Sequence, residues 1–347
     1  MSTPDKGASA SIAEAGERAL IDRIRQRFPE SPGALTIGIG DDAAVAAGVR
    51  GELQVLTTDA LVEGIHFDLA FSSFADVGYK ALAVNVSDIA AMGGTPRLAL
   101  LSLILPERLT LADFDGLLDG FAEMASEAEV VLAGGNIARS PGPLVVDVTA
   151  VGDVRPRRIL TRGGGRPGDV LYVTGAIGAA AAGLGWLREA GTGLSESAEI
   201  ALLTARHRRP APRLRIGAIL GRTRTATACM DLSDGLADAV SAIARASGTG
   251  AIIDAGALPI PTPVRNWFSA RGQDPVKAAI AGGDDYELLF SVPPRRHGRL
   301  RTVVRQGRGV PVTRIGELTS APAILLKTDA ATEPLPSGFT HFSRPAW

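Results

Sequence analysis

The chain has 347 residues, a length that favours two domains over one core. A hydrophobic share of 46% and 41 glycines indicate a folded α/β protein with many tight turns. Lys and Arg number 36 against 37 Asp and Glu, so the net charge of -1 gives no sign of nucleic-acid binding. The single cysteine, Cys229, excludes an intramolecular disulfide and a cysteine-rich zinc site, and it fits a reducing cytoplasm.

Neither the first residues nor the apolar runs of the chain predict a membrane segment. Residues 1–16 are small and polar, lack the apolar core of a signal peptide, and are expected to form a disordered tail. The richest apolar run, residues 98–105, has the length of a strand and ends at Pro106. We therefore expect a cytoplasmic protein with no membrane or nucleic-acid partner.

Apolar spacing predicts alternating helices and strands in the first half of the chain. In chain order these are a helix over 18–28, strands over 35–39 and 53–58, a helix over 76–92, a strand over 98–105, a helix over 111–128, and strands over 130–133 and 144–152. The strand over 130–133 is expected to enter a turn at Gly134, and the strand over 53–58 to deliver Asp59 at its end.

The composition changes near Arg155, where several arginines crowd around the glycines at 163–165. This change places a domain boundary there, with an N-terminal domain over 17–154 and a C-terminal domain over 155–347. The second half repeats the pattern with a strand over 169–174, helices over 179–189 and 198–203, a further helix after Pro212, a helix over 236–246, and strands over 251–254, 286–292 and 312–318.

Five acidic clusters lie beside glycine or other small residues. They are Gly40-Asp41-Asp42, Thr57-Thr58-Asp59, Ser87-Asp88, Asp231-Leu232-Ser233-Asp234-Gly235 and Gly282-Gly283-Asp284-Asp285-Tyr286-Glu287. Glycine permits sharp turns and close approach of a ligand, and carboxylates are hard oxygen ligands for Mg²⁺. The clusters predict a site that holds several magnesium ions against phosphates.

Each cluster in the first half also has a purely structural interpretation. Asp42 either binds an ion or closes an Asx turn. Thr58 and Asp59 form a hydroxyl–carboxylate pair typical of magnesium sites, or they cap a turn or a helix. His66 donates to a substrate phosphate or is merely structural. Asp88 is the strongest signal, because an acid inside an apolar helix is costly to bury unless it binds a cation or accepts hydrogen bonds.

The second half contains two further candidate phosphate contacts. Ser233 and Asp234 precede a helix, whose first N–H groups bind phosphate readily, although either residue could act only as an N-cap. Arg162 could clamp phosphates through paired hydrogen bonds, or it could belong to a solvated linker.

Taken in order, these motifs resemble the thiamine-monophosphate kinase family, part of the ATP-binding superfamily that includes aminoimidazole ribonucleotide synthetase. The resemblance covers roughly residues 16–342. The matching segments are GIGDDAAV from Gly38, TTDALVEGIHF from Thr57, YKALAVNVSDIAAMGG from Tyr79, GGNIARS from Gly134, LTRGGGRPGDVLYVTG from Leu160, MDLSDGL from Met230, GGDDYELLF from Gly282 and FTHF from Phe339.

The resemblance implies transfer of the ATP γ-phosphoryl group to thiamine monophosphate, giving thiamine diphosphate and ADP, with several Mg²⁺ ions. It also implies an α/β (α+β) protomer of two domains. The N-terminal domain would be a mixed sheet with helices that binds ATP and magnesium and pairs in a homodimer. The C-terminal domain would be an α/β sandwich.

The resemblance also implies roles for individual residues. The magnesium ligands would be Asp42, Thr57, Thr58, Asp59, Asp88, Asp231 and Asp234. The ATP contacts would be Gly135, Asn136, Arg162 and Ser233, and the thiamine phosphate contacts would be His66, Asp284 and Phe339. Many members carry Asp where this chain has Asn136. The side-chain carbonyl of Asn can coordinate a metal ion but carries no negative charge. Either one magnesium ion is therefore held more weakly, or a neighbouring acid supplies the missing charge.

The chemistry agrees with these residue types, because a phosphate acceptor is already an anionic nucleophile and needs no strong base. We expect direct transfer without a phosphoenzyme. The alternatives are a sibling enzyme (a purine-pathway synthetase or a carbamoyl-transfer maturation factor), a non-catalytic nucleotide-binding dimer, and a multi-metal phosphohydrolase.

Overall fold

A computed structural model describes residues 11–29, 33–39, 43–190, 196–336 and 338. The chain divides into two compact units. The first unit comprises Met1–Ile89 and Thr95–Val154, and the second comprises Ala90–Gly94 and Arg155–Trp347.

The first unit is built on a four-stranded mixed sheet with the order β1-β4-β2-β3. Strands β2 and β3 are parallel, while β4 is antiparallel to both of its neighbours. Its elements are α1 (Ile12–Arg27), β1 (Leu53–Val62), α2 (Phe74–Ala91), β2 (Thr95–Pro106), α3 (Leu111–Ala128), β3 (Val131–Ser140) and β4 (Val145–Val154).

Helices α2 and α3 cross closely because two glycines permit contact of their backbones. A Cβ atom on Gly78 of α2 would lie 1.9 Å from the Leu117 carbonyl oxygen of α3. One on Gly120 of α3 would lie 1.8 Å from the Ala75 carbonyl oxygen of α2. Alternate residues of the strands are buried on the helix side, and the opposite face of the sheet exposes large apolar side chains such as that of Leu56.

The second unit is built on a seven-stranded sheet with the order β11-β10-β7-β9-β5-β8-β6. Its strands are β5 (Val170–Thr174), β6 (Ala228–Asp231), β7 (Gly250–Asp254), β8 (Leu288–Val292), β9 (Val312–Thr319), β10 (Ile324–Lys327) and β11 (Thr332–Pro334). Its helices are α4 (Ala179–Ala190), α5 (Ala198–Arg208), α6 (Leu214–Thr223), α7 (Leu236–Ser247), α8 (Thr262–Ser269), α9 (Pro275–Ala281) and α10 (His297–Gln306).

Helices cover both faces of this sheet, so the second unit is an α/β sandwich, as predicted. One core joins the sheet to α4, α5, α7, α8 and α9. A second core joins the opposite face to α6 and α10. Cys229 is buried in that second core, and burial raises the pKa of its thiol, so it acts as a small apolar residue.

Strands β1 and β3 are longer than their sequence pattern predicts, and both changes affect the candidate site. Strand β1 continues to Val62, so Asp59 lies inside a strand and not at its end. Strand β3 continues to Ser140, so the predicted turn at Gly134 is wrong and Asn136 also lies in a strand. Pairing with β4 and β2 imposes extended backbone on residues whose own preference is for turns.

Helices α8, α9 and α10 and strands β10 and β11 were not predicted from the sequence. Further differences lie near the N-terminus. The predicted strand over 35–39 is wrong, since in that stretch the structure describes only isolated bridges, among them Ile37 to Val45. Residues 1–10 lie outside the described residues, and α1 begins at Ile12, earlier than the helix predicted over 18–28. Ser11 and Glu14 begin this helix with a capping box. Among the helices that the structure describes, none is long and apolar enough to cross a membrane.

Candidate active site

Thr57 and Asp88 meet on the helix side of the first sheet. The Thr57 hydroxyl donates to Asp88 Oδ2 at 2.6 Å, which joins β1 to α2. Asp59 lies two residues after Thr57 and therefore faces the same side. Asp88 is half-buried within a helix whose other residues from 81 to 91 are buried. These side chains present only hydroxyl and carboxylate oxygens, the donor set that Mg²⁺ prefers.

Thr58 points to the opposite face of the same sheet. The Thr58 hydroxyl donates to Asp147 Oδ1 at 3.0 Å. It also accepts from the Thr149 hydroxyl at 3.2 Å. The structure therefore does not bring Thr58 together with Thr57 and Asp59, because neighbours in a strand alternate in direction. Asp147 was not among the predicted site residues, although an acid inside the alternating apolar run 144–152 is a signal that could have revealed it.

Asn136 belongs to the same open face as Thr58. In the register of the sheet, Asp147 pairs with Ser102, and Ser102 pairs with Asn136, so the three side chains form a row across β4, β2 and β3. A Cβ atom on Gly135 would project to the opposite face of the sheet and lie 1.8 Å from the Leu101 carbonyl oxygen. Only glycine fits at that position.

His66 lies in the turn that follows β1. The backbone N–H of Val62 donates to His66 Nδ1 at 3.1 Å. The neutral ring therefore carries its proton on Nε2, which is the tautomer able to donate to an anion. The buried ammonium of Lys80 donates to the His66 carbonyl oxygen at 3.2 Å and fixes this turn to α2.

Two acidic segments of the second unit are joined by backbone hydrogen bonds. The Asp284 N–H donates to the Ser233 carbonyl oxygen at 2.7 Å, and the Tyr286 N–H donates to the Leu232 carbonyl oxygen at 3.0 Å. In the other direction, the Leu232 N–H donates to the backbone carbonyl oxygen of Glu287 at 2.9 Å. The segments are adjacent because they end β6 and precede its antiparallel partner β8. The structure thus brings together four predicted site residues: Asp231, Ser233, Asp234 and Asp284.

The other acids of the segment 282–287 have structural partners. Asp285 accepts the N–H groups of Gly178 and Ala180 at the start of α4, at 2.7 and 3.3 Å. Burial raises the pKa of Asp285 to about 7, although the two hydrogen bonds act in the opposite direction and lower it. Glu287 is buried and accepts from the Thr174 hydroxyl at 2.6 Å and from Nε and Nη2 of Arg213.

Neither Ser233 nor Asp234 is the N-cap of α7, so that alternative is wrong. The N-cap of α7 is Gly235, which has a φ of 91° and makes no side-chain capping bond. A Cβ atom there would lie 2.6 Å from the Gly282 carbonyl oxygen. Ser233 and Asp234 therefore lie in the loop that leads into the helix.

Arg162 is exposed in a segment that runs beside β6. The Cys229 N–H donates to the Thr161 carbonyl oxygen at 2.9 Å, so this segment covers the edge strand. A Cβ atom on Gly164 would lie 2.7 Å from the Thr227 carbonyl oxygen, and the φ of Gly164 is 117°. The glycines thus hold the segment against the strand from which Asp231 emerges.

Two predicted residues, Asp42 and Phe339, lie outside the described residues. Gly338, next to Phe339 in sequence, lies against the loop that contains Asp234, since a Cβ atom on Gly338 would lie 2.8 Å from the Asp234 carbonyl oxygen. Within the described part of the chain, no three His, Cys, Asp or Glu side chains converge as a preformed metal centre.

Comparison with known proteins defines the class. The AIR synthase related protein family matches with its N-terminal domain over residues 40–154 and with its C-terminal domain over residues 166–327. Two such domains, each with its own sheet, place this chain among the AIR synthase related proteins.

Individual relatives show which branch of this family the chain resembles. The thiamine-monophosphate kinase of Bacillus subtilis is 36% identical over 89% of this chain and 94% of its own length. The crystal structure of thiamine-monophosphate kinase from Stenotrophomonas maltophilia is 36% identical, with a TM-score of 0.78 over 89% of this chain and 95% of that chain. AaThiL complexed with AMPPCP and TMP is 33% identical, with a TM-score of 0.74 over 95% and 98%.

The chain therefore belongs to the thiamine-monophosphate kinase family. This finding confirms the resemblance seen in the motifs, together with the mixed α/β fold of two sheets.

Proposed function

We propose that this chain transfers the γ-phosphoryl group of ATP to thiamine monophosphate, a step of thiamine diphosphate biosynthesis. The observation that carries the proposal is the likeness to AaThiL complexed with AMPPCP and TMP, which extends over 95% of this chain. The names of the relatives at about 35% identity support the same activity.

The first unit is proposed to bind magnesium through Asp42, Thr57, Asp59 and Asp88. The supporting observation is the Thr57–Asp88 contact at 2.6 Å, which holds hard oxygen donors together. Thr58 and Asn136 are proposed to act on the opposite face, where Asp147 supplies the charge that Asn136 lacks. When bound, Mg²⁺ neutralises the charge of the phosphates and lowers the repulsion between two anions.

The second unit is proposed to bind phosphates and substrate around its two joined acidic segments. Asp231 and Asp234 are proposed magnesium ligands, and Ser233 and Arg162 are proposed ATP contacts. Asp284 and Phe339 are proposed to contact thiamine monophosphate. The support for this assignment is that the backbone bonds between 231–235 and 282–287 bring Ser233 and Asp284 into one loop pair.

Transfer is proposed to be direct and in line. The acceptor phosphate is already an anion, so the residues need to orient it and offset repulsion, not remove a proton. His66 is proposed to do both, because Nδ1 accepts from the Val62 N–H and the neutral ring then carries its proton on Nε2. Covalent phosphate on His66, trapped after mixing with labelled ATP, would contradict direct transfer.

A homodimer is proposed to form through the open face of the first sheet. That face carries exposed Leu56 and Leu100 beside Thr58 and Asp147. Exposed apolar area of this kind is typical of a protein interface.

The first experiment is ATP turnover with thiamine monophosphate and Mg²⁺, with products identified by mass. We expect thiamine diphosphate in step with ADP. Free phosphate without thiamine diphosphate would favour a phosphohydrolase, and tight ATP binding without turnover would favour a regulatory nucleotide-binding protein.

A further inference from the structure

Asp284 is held in an unusual backbone conformation. Its φ is 68°, in the left-handed region that side chains other than glycine, Asn and Asp rarely adopt. The hydrogen bond from its N–H to the Ser233 carbonyl oxygen, at 2.7 Å, fixes that conformation. Left-handed positions outside glycine persist where the surrounding structure fixes them, and they are common at functional sites.

Both carboxylate oxygens of Asp284 also have neighbours. The Tyr286 hydroxyl donates to Oδ1 at 3.3 Å. The Nδ1 atom of His207 lies 3.3 Å from Oδ2. The carboxylate therefore lies between an aromatic hydroxyl and an imidazole, and its side-chain rotation is restricted from both sides.

His207 is a buried residue near the C-terminal end of α5, and only 4% of its side chain is exposed. The two acids that follow Asp284 are held elsewhere, Asp285 by the first amides of α4 and Glu287 by Thr174 and Arg213. Of the three acids in this segment, Asp284 is the one that His207 contacts and the one that stays 31% exposed.

We propose that His207 is a positioning residue for Asp284 and thereby sets the affinity for the phosphate-acceptor substrate. This inference rests on the proposed function, in which Asp284 contacts thiamine monophosphate. A carboxylate already fixed in its binding orientation loses less side-chain entropy when the substrate arrives. A buried imidazole on a packed helix is a rigid support for that purpose.

The test compares His207→Leu with His207→Asn. Asparagine places an amide nitrogen close to the position of Nδ1, whereas leucine fills space without a donor. We expect the KM for thiamine monophosphate to rise about tenfold in H207L, a change of the size expected when a charged group loses one polar contact. H207N should recover most of that loss, and the KM for ATP should change less than about twofold in both variants.

Two further variants make the experiment specific. Tyr286→Phe removes the other neighbour of the carboxylate and should raise the same KM, with ATP again unaffected. His297→Leu replaces an exposed histidine of α10 and should leave all constants unchanged. Calorimetric binding of thiamine monophosphate in the absence of ATP should follow the KM values.

An H207L protein that loses kcat or affinity for both substrates equally, or an H207N protein no better than H207L, would overturn the proposal. If H207L fails to fold in a thermal melt, His207→Ala takes its place because it also removes the imidazole, and an unchanged KM for thiamine monophosphate in that variant overturns the proposal. A wild-type protein that makes no thiamine diphosphate refutes the proposed function instead, which separates the two failures.

Discussion

At the scale of single residues, strand alternation decides which of the candidate ligands act together. Thr57 and Thr58 are adjacent in sequence, yet one contacts Asp88 and the other contacts Asp147 on the far face of the sheet. A cluster that looks continuous in the sequence is thus divided between two surfaces.

Asp88→Asn should lower thiamine diphosphate formation at least about 100-fold, because it removes a charge proposed to hold magnesium against phosphate. The thermal midpoint should change little, since Asn still accepts from the Thr57 hydroxyl. Asp119→Asn on the exposed side of α3 is the matched control and should remain active. Near-normal activity of D88N, and likewise of D42N, would refute the proposed magnesium site.

Asn136→Asp should lower the Mg²⁺ concentration needed for half-maximal activity. A carboxylate adds charge to the row that contains Ser102 and Asp147, and a divalent cation binds more tightly to a more negative site. Titration of the initial rate with Mg²⁺ in wild type and variant measures the effect. A higher Mg²⁺ requirement in N136D would mean that the added acid repels Asp147 and does not assist binding.

At the scale of elements, close backbone contacts position the site. Helix α2 carries Asp88, and it approaches α3 so closely that Gly78 and Gly120 leave no room for a methyl group. Any side chain there would push α2 and change where Asp88 lies relative to β1.

Gly120→Ala should destabilise the protein by at least about 2 kcal/mol, because a Cβ atom would overlap the Ala75 carbonyl group. Gly298→Ala is the control, since Gly298 lies in α10 with nothing within 4 Å of a Cβ atom. That change should be neutral or stabilise by up to about 1 kcal/mol through helix propensity. Urea unfolding measures both, and equal effects would contradict the close crossing.

The start of α4 gives the protein a pH-dependent contribution to stability. The pKa of Asp285 is raised from 3.8 to about 7 by burial, so the folded state keeps a proton that the unfolded state releases between these values. The contribution of Asp285 to the free energy of unfolding is therefore full below pH 3.8 and falls as the pH rises towards about 7. Asp285→Asn should remove this slope. Parallel curves of thermal midpoint against pH for wild type and D285N would contradict it.

At the scale of the whole molecule, each unit buries one sheet beneath helices, but among the described residues of the first unit no helix packs on the second face of its sheet. Leu56 is 66% exposed on that face, an unusual exposure for a leucine inside a strand. The second sheet has helices packed on both faces.

Leu56→Asp should convert the proposed homodimer to a monomer, because an acid on an apolar interface leaves a charge without solvent. Light scattering after size-exclusion chromatography measures the mass. Leu202→Asp, on α5 of the second unit and 72% exposed, is the control and should leave the mass unchanged. A dimeric L56D protein would show that this face is not the interface.

Local patterns along the chain are enough to establish the family, the α/β class and most of the elements whose apolar spacing is regular, such as α2, α3 and α7. They also locate the acids, because carboxylates beside glycines are visible without a fold. These features can be predicted since helical periodicity and glycine turns depend on near neighbours.

How those acids are used depends on contacts between distant segments. Strand pairing extends β3 through Gly135 and Asn136, and it sets Asp147 beside Thr58. Packing assigns Asp285 to a helix start and leaves Asp284 to His207, which lies on a different element far back in the chain. No local pattern encodes which face, register or partner a side chain receives, because these are set only when strands pair and helices pack.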